Sequence, residues 1–184
     1  REEGIVAGEG GQRVSAAGPV RAAAEKTRSD WETPWPLWNA LDREFHFTMD
    51  GAANETNHKV RYYLGPGGWH EDAFTWSQGA RQTIWVNPPY GRGMARWIGL
   101  FDEWHQRGHT VVALVPNATD AGWFARAAET AREIRLLVGR VEFVGGASGN
   151  TGGNALVVWR HGPRARGGHI WLWDWRADVL LTGK

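Results

Sequence analysis

Asn87-Pro88-Pro89-Tyr90, embedded in TIWVNPPYGRG at residues 83–93, is the stretch of this 184-residue chain whose residue types bear most directly on chemistry. A proline has no backbone donor and a fixed φ, so two in succession end a helix or a central strand. The residue before each proline is driven into extended backbone. The apolar run ahead of them therefore leaves its strand in a stiff corner that holds an amide, free carbonyls and an aromatic ring in fixed relation. Such a corner suits one difficult acceptor. The exocyclic amino group of a nucleobase is a poor nucleophile, because its lone pair is delocalised into the ring. An Asn side-chain carbonyl and a backbone carbonyl can accept its two N–H bonds and localise that pair, and the prolines keep both acceptors still. Tyr90 can stack on the base face. The base must first leave its duplex stack to reach the corner.

The elements around the corner follow from periodicity. Thr33-Pro34 fits a helix start, and Leu37, Trp38 and Leu41 continue it as an apolar stripe. Residues 45–50 (FHFTMD) read as a strand ending on a carboxylate, and residues 59–64 (KVRYYL) as a second short strand. Residues 83–87 form a strand and 93–108 an amphipathic helix. The run 110–116 (TVVALVP) is apolar almost throughout, as in a strand buried on both faces. A helix over 121–132 and strands over 133–138 and 154–160 follow, and 170–175 (IWLWDW) reads as an edge strand. This alternation predicts an α/β fold: a mostly parallel, twisted, Rossmann-like sheet with helices on both faces. Ligands of such sheets bind beyond the carboxyl ends of the strands. Asp50, Asn87 and the stretch 116–120 (PNATD) all fall at strand ends, on one rim.

Length and composition predict one domain over residues 29–160. Residues 1–28 read as a flexible arm with a short helix near 20–26, and residues 161–184 as a basic loop and edge strand of the same domain. The hydrophobic fraction of 42% suits a globular protein, and no apolar run has the length of a bilayer span. No signal-peptide pattern is visible, so a cytoplasmic location is expected. Cysteine is absent, which excludes disulfides, thiolate metal sites and thiolate nucleophiles. The seven histidines lack spacings such as H-E-x-x-H, so no metal is expected. A formal charge of +1 requires any nucleic-acid-binding face to be polarised. Arg92 and Arg96 flank the proline corner, Arg140 follows a strand that should end on the same rim, and Arg164 and Arg166 lie in a glycine-rich loop. These are the candidate phosphate contacts. Trp123, at a helix start after the buried strand, is a candidate base contact. Most of the 13 tryptophans are expected in the core.

The motifs together resemble the phage DNA N-6-adenine methyltransferase (Dam) family. N-P-P-Y resembles the catalytic motif of amino-group methyltransferases that use S-adenosylmethionine. DWETPWPLWNAL resembles the aromatic-x-T-P segment that touches the methionine part of the cofactor. FTMDGAAN resembles the strand-one motif of these enzymes, and EDAFTW, with Asp72 fifteen residues before Asn87, resembles the D-x-L segment whose Asp approaches the cofactor adenine. The order of these pieces, with LVPNATDAGWF after them, extends the likeness over about residues 29–160. The resemblance implies cofactor contacts from Thr33, Pro34, Asp50, Gly51, Ala52, Asp72 and Phe74, with Asn87, Pro88, Pro89 and Tyr90 as the catalytic set. It departs at position 51, where Gly replaces the motif's Pro, and in the missing glycines after Ala53.

The expected function is methyl transfer from S-adenosylmethionine to the N6 amino group of a flipped adenine in DNA. Cytosine N4 and the amide nitrogen of a protein glutamine pose the same chemical problem and stand as alternatives. An inactive DNA-binding module of the same fold is the alternative of another class. The recognition sequence and the oligomeric state are not encoded in any motif.

Overall fold

The computed structural model describes residues 31–77, 79–145, 152–162 and 169–181. Its elements, in chain order, are α1 (Trp35–Phe45), β1 (Met49–Asp50), β2 (Thr83–Val86), α2 (Met94–Gln106), β3 (Thr110–Pro116), α3 (Gly122–Thr130), β4 (Glu133–Leu137), β5 (Asn154–Trp159), β6 (His169–Asp174) and β7 (Val179–Leu181). The strands form one sheet in the order β1-β2-β3-β5-β4-β6-β7. β1, β2 and β3 pair in parallel, as do β4 and β6. β5 runs antiparallel to both its neighbours, and β7 runs antiparallel to β6. Five of the seven strands therefore point one way, and the two reversed strands make the sheet mixed.

Side-chain alternation along the strands divides the core into two layers. Val111, Ala113 and Val115 of β3 face a cluster with Ile98, Phe101 and Trp104 of α2 and Phe124 and Ala127 of α3. Val112 and Leu114 face the other side, with Leu37, Leu41 and Phe45 of α1. Helices thus cover both faces, as the alternation predicts. In α2 the buried residues Met94, Trp97, Ile98, Phe101 and Trp104 recur at helical spacing. In α1 the stripe is Leu37, Ala40, Leu41 and Phe45, entered through Pro34 as the N-cap.

Three expectations are corrected. The strand over 45–50 is only Met49–Asp50, because α1 continues to Phe45 and ends on His46 at φ 53, left-handed backbone that cannot belong to a strand. Residues 59–64 make only isolated bridges, Asp50 with Tyr63 and Leu64 with His70. A two-residue partner offers no longer ladder, and the chain turns away at Gly65, where φ is +140 and an added Cβ would lie 1.9 Å from the Ala53 carbonyl oxygen. β6 is not the edge: β4 lies on one side of it and β7 on the other. The expected arm over 1–28, its helix near 20–26, and Arg164 and Arg166 lie outside the described residues.

Candidate active site

The parallel pairing of β1, β2 and β3 brings their carboxyl ends to one rim, and with them Asp50, Asn87 and the chain after Pro116. The segment 31–33 crosses this rim. It is held by two backbone hydrogen bonds between Glu32 and Val144, at 3.1 and 2.9 Å, and by Trp31 stacked on Phe143 at 5.6 Å.

Two adjoining cavities open here. The larger, about 300 Å³, is walled by Ala52, Ala53, Leu64, Gly65, Phe74, Pro89 and Trp97, with Glu71, Asp72, Asn54 and Asn57 as its polar groups. The smaller is lined by Trp31, Glu32, Thr33, Asp50, Lys59, Trp85 and Asn87. Ala52 and Asn57 belong to both, so the two cavities adjoin there.

The smaller cavity carries the unusual electrostatics. The Asp50 carboxylate is only 3% exposed. It accepts the backbone N–H of Lys59 at 3.0 Å and that of Ala52 at 3.3 Å. Burial outweighs these bonds and the neighbouring cations, and pushes the carboxyl up from 3.8 to about 6. Thr33 is buried and its hydroxyl has no partner. The Asn87 side-chain NH2 donates to the Trp31 carbonyl at 3.1 Å, whereas its Oδ1 is buried with no partner. An unpaired buried polar atom costs about 1–3 kcal/mol, so two of them beside a desolvated carboxylate mark a place where a ligand completes the hydrogen bonding. A cationic amine next to Asp50, with acceptors for the Thr33 hydroxyl, fits this donor and acceptor set.

Tyr90 is fixed through its hydroxyl, which donates to the Leu114 carbonyl at 3.4 Å and accepts from the Asn154 amide at 3.0 Å. Phe143 meets its ring edge-on at 5.9 Å. Burial raises the phenol further above its ordinary value, so Tyr90 serves as a neutral ring rather than a proton donor or acceptor. Pro88 is buried, and Pro89 lines the larger cavity.

Seven of the sequence-derived candidates line the two cavities. Thr33, Asp50, Ala52, Asp72, Phe74, Pro89 and Asn87 line one cavity or both. Asp72 caps its own turn by accepting the Phe74 N–H at 2.9 Å. Pro34 lines neither cavity and acts as the helix cap. Gly51 is absent from both walls as well. It is buried in the core, where an added Cβ would stand 3.0 Å from Ile84 and Val86 and 3.1 Å from Trp104, so a larger residue there would have to push these side chains aside by a few tenths of an ångström. Arg92 and Arg140 are exposed. The Arg96 guanidinium lies 3.7 Å over the Phe74 ring, so it covers the outside of the larger cavity. Trp123 is half-buried, edge-on to Phe124 at 5.6 Å and packed on the α2 layer. The motifs missed Glu32, Asn57, Lys59, Asn154 and the Trp31 carbonyl. A buried lysine or a captured backbone carbonyl has no local sequence signature. Among the described residues, no three His, Asp or Glu side chains gather as a metal site, and no helix is long and apolar enough to cross a membrane.

A sheet with most strands co-directional, whose ligand cavities lie beyond the carboxyl ends of β1 and β2, is a Rossmann-like enzyme architecture. The family comparison then gives the chemistry. The model of the DNA N-6-adenine-methyltransferase (Dam) family matches residues 21–166, and the chain belongs to that family. It is an S-adenosylmethionine-dependent methyltransferase acting on adenine N6 in DNA. Among solved structures, the chain is similar to one from Listeria monocytogenes described as a class I S-adenosylmethionine-dependent methyltransferase. That match has 11% identity and a TM-score of 0.49, and covers 80% of this chain and 67% of the other. No curated protein sequence matches the chain.

Proposed function

We propose that methyl transfer is carried out at the junction of the two cavities, with Asn87 as the group that activates the adenine amine. The observation that carries this reading is the buried, unpartnered Asn87 Oδ1 beside the unpartnered Thr33 hydroxyl and the Asp50 carboxylate. S-adenosylmethionine supplies a methyl group activated by its sulfonium. Asp50 and Thr33 hold the charged methionine end, and the apolar walls at Ala52, Leu64, Phe74 and Pro89, with Asp72, hold the adenosine end. Asn87 Oδ1 and a backbone carbonyl of the proline corner accept the two N–H bonds of the flipped adenine, which localises the lone pair on nitrogen. The NH2 of Asn87 is already committed to Trp31, so its oxygen is fixed and without a partner before the base arrives. That is preorganisation in the sense that lowers a barrier. Tyr90, anchored by Asn154, stacks on the base. The exposed Arg92 and Arg140, with the outer edge of Arg96, contact phosphates, and the exposed part of Trp123 borders the same rim. The place of action is the cytoplasm of a bacterial or phage-infected cell, where the DNA lies.

Asn87→Ala tests the assignment. Methyl transfer should fall by at least the loss of about 2.7–4 kcal/mol known for one preorganised acceptor or donor, roughly 100- to 1000-fold, with cofactor affinity near that of the parent. A variant that methylates DNA at the parent rate refutes it.

A further inference from the structure

We infer that Lys59 is a positioning residue for Asn87, acting through Glu32 and the segment 31–33; this rests on Asn87 being the activating group. Lys59 joins the two halves of the small cavity. Its backbone N–H donates to Asp50 at 3.0 Å. Its ammonium pairs with Glu32 at 2.6 Å and lies 3.9 Å over the Trp35 ring. The Lys59 side chain is 1% exposed and that of Glu32 21%.

A buried ammonium is costly unless paired, so this ion pair is poor evidence of added stability and better evidence of a fixed geometry. The geometry that it fixes is plain from the neighbours. Glu32 is adjacent in the chain to Trp31 and Thr33. The Trp31 carbonyl takes the Asn87 NH2 at 3.1 Å, which fixes the end of the amide that carries Oδ1. Thr33 lines the same cavity. On the other side, the segment is tied by the Glu32 backbone to Val144 and by the Trp31 ring to Phe143. Without the ion pair the segment can shift on that backbone hinge, and the Asn87 amide loses the acceptor that sets which of its two ends points inward. An amide turned over would offer the adenine amine a donor instead of an acceptor. Lys59 therefore governs turnover without touching the base.

The test uses Lys59→Met, which keeps the stem and the backbone donor to Asp50, with Lys59→Arg as the conservative partner and Glu32→Gln as the approach from the other side. The first readout needs neither cofactor nor DNA: the side-chain NH2 resonances of Asn87 in 15N-labelled protein, assigned by their absence in Asn87→Ala. They should shift or broaden in Lys59→Met and Glu32→Gln and return in Lys59→Arg. The second readout is single-turnover methylation. Lys59→Met should lose about 10- to 100-fold in rate, with cofactor Kd within about threefold of the parent, and the loss should vanish in an Asn87→Ala background, as it must for two residues acting through one interaction. Unmoved Asn87 resonances, or a Lys59→Met loss that multiplies with that of Asn87→Ala, overturns the proposal. An active Asn87→Ala would instead overturn the role of Asn87 itself, and the two failures are thereby distinct. If Lys59→Met does not fold, Glu32→Gln carries both readouts.

Discussion

Replacing Asp50 with Asn should make the protein's stability respond to pH in a new way, and the size of the change follows from the site. Asp50 titrates at about 6 in the folded chain against 3.8 without burial, a difference of about two units, worth about 3 kcal/mol. The sign is that of a carboxylate made harder to ionise. Between these two values the unfolded chain has released the proton and the folded chain retains it. Stability from this group is therefore lost as pH rises through the window, and the full cost of about 3 kcal/mol is present above pH 6. Asp50→Asn removes that dependence because the amide does not titrate. It also introduces a fault. One amide oxygen can serve Lys59 N–H or Ala52 N–H, and its NH2 confronts the other donor, at a cost of about 1–3 kcal/mol. At pH 4 only the fault operates, and the variant should be less stable than the parent. By pH 7.5 the difference should have moved about 3 kcal/mol in the variant's favour. Urea denaturation of both proteins at several pH values measures this directly, since all other titrations cancel in the difference. A stability difference that stays flat from pH 4 to 7.5 refutes the reasoning and makes Asp50 an ordinary ionised carboxylate. The same experiment bears on function. A cation bound beside Asp50 favours its ionised form, so cofactor binding below pH 6 should release a proton from the parent and none from the variant, as calorimetry in buffers of different ionisation enthalpy would report.

Two further predictions extend the site. Thr33→Val replaces a buried, unpartnered hydroxyl with a methyl of similar shape; it should leave the apo protein as stable or more stable by up to about 1 kcal/mol, while weakening S-adenosylmethionine binding about 5- to 20-fold, and unchanged affinity by titration calorimetry would place the hydroxyl outside the ligand's reach. Arg92→Ala and Arg140→Ala should each weaken DNA binding about equally on all sequences and lower the salt-dependence slope by about one; a variant that instead changes the preferred site would show that arginine to read a base edge.

Local physics made much of this protein legible before any fold was known. Two prolines after an apolar run must end a strand in a stiff corner, whatever surrounds them, so the Asn87–Tyr90 element and its place at a strand end followed from the residues themselves. The stripes of α1 and α2 and the doubly buried run of β3 are equally local, because helical and strand periodicities are written every few residues. The rim shared by Asp50 and Asn87 followed from the parallel strand order that such alternation implies. The tertiary structure decided everything that depends on which distant residues meet. β5 is six residues all buried, a pattern that carries no direction, and only its pairing between β3 and β4 made it run backwards. Residues 59–64 have the composition of a strand but found a two-residue neighbour and a turn at Gly65, so they make only isolated bridges, with Lys59 and Leu64 lining the cavities. Gly51 matches a ligand-contacting position in sequence, and only packing showed how closely Ile84, Val86 and Trp104 crowd it. The Asn87 amide donates to the carbonyl of Trp31, 56 residues away and next in the chain to the Glu32 that pairs with Lys59. A sequence read for periodicity and motif records what each residue prefers; these contacts arise only when segments that share no local pattern are packed against one another and their polar groups must find partners away from water.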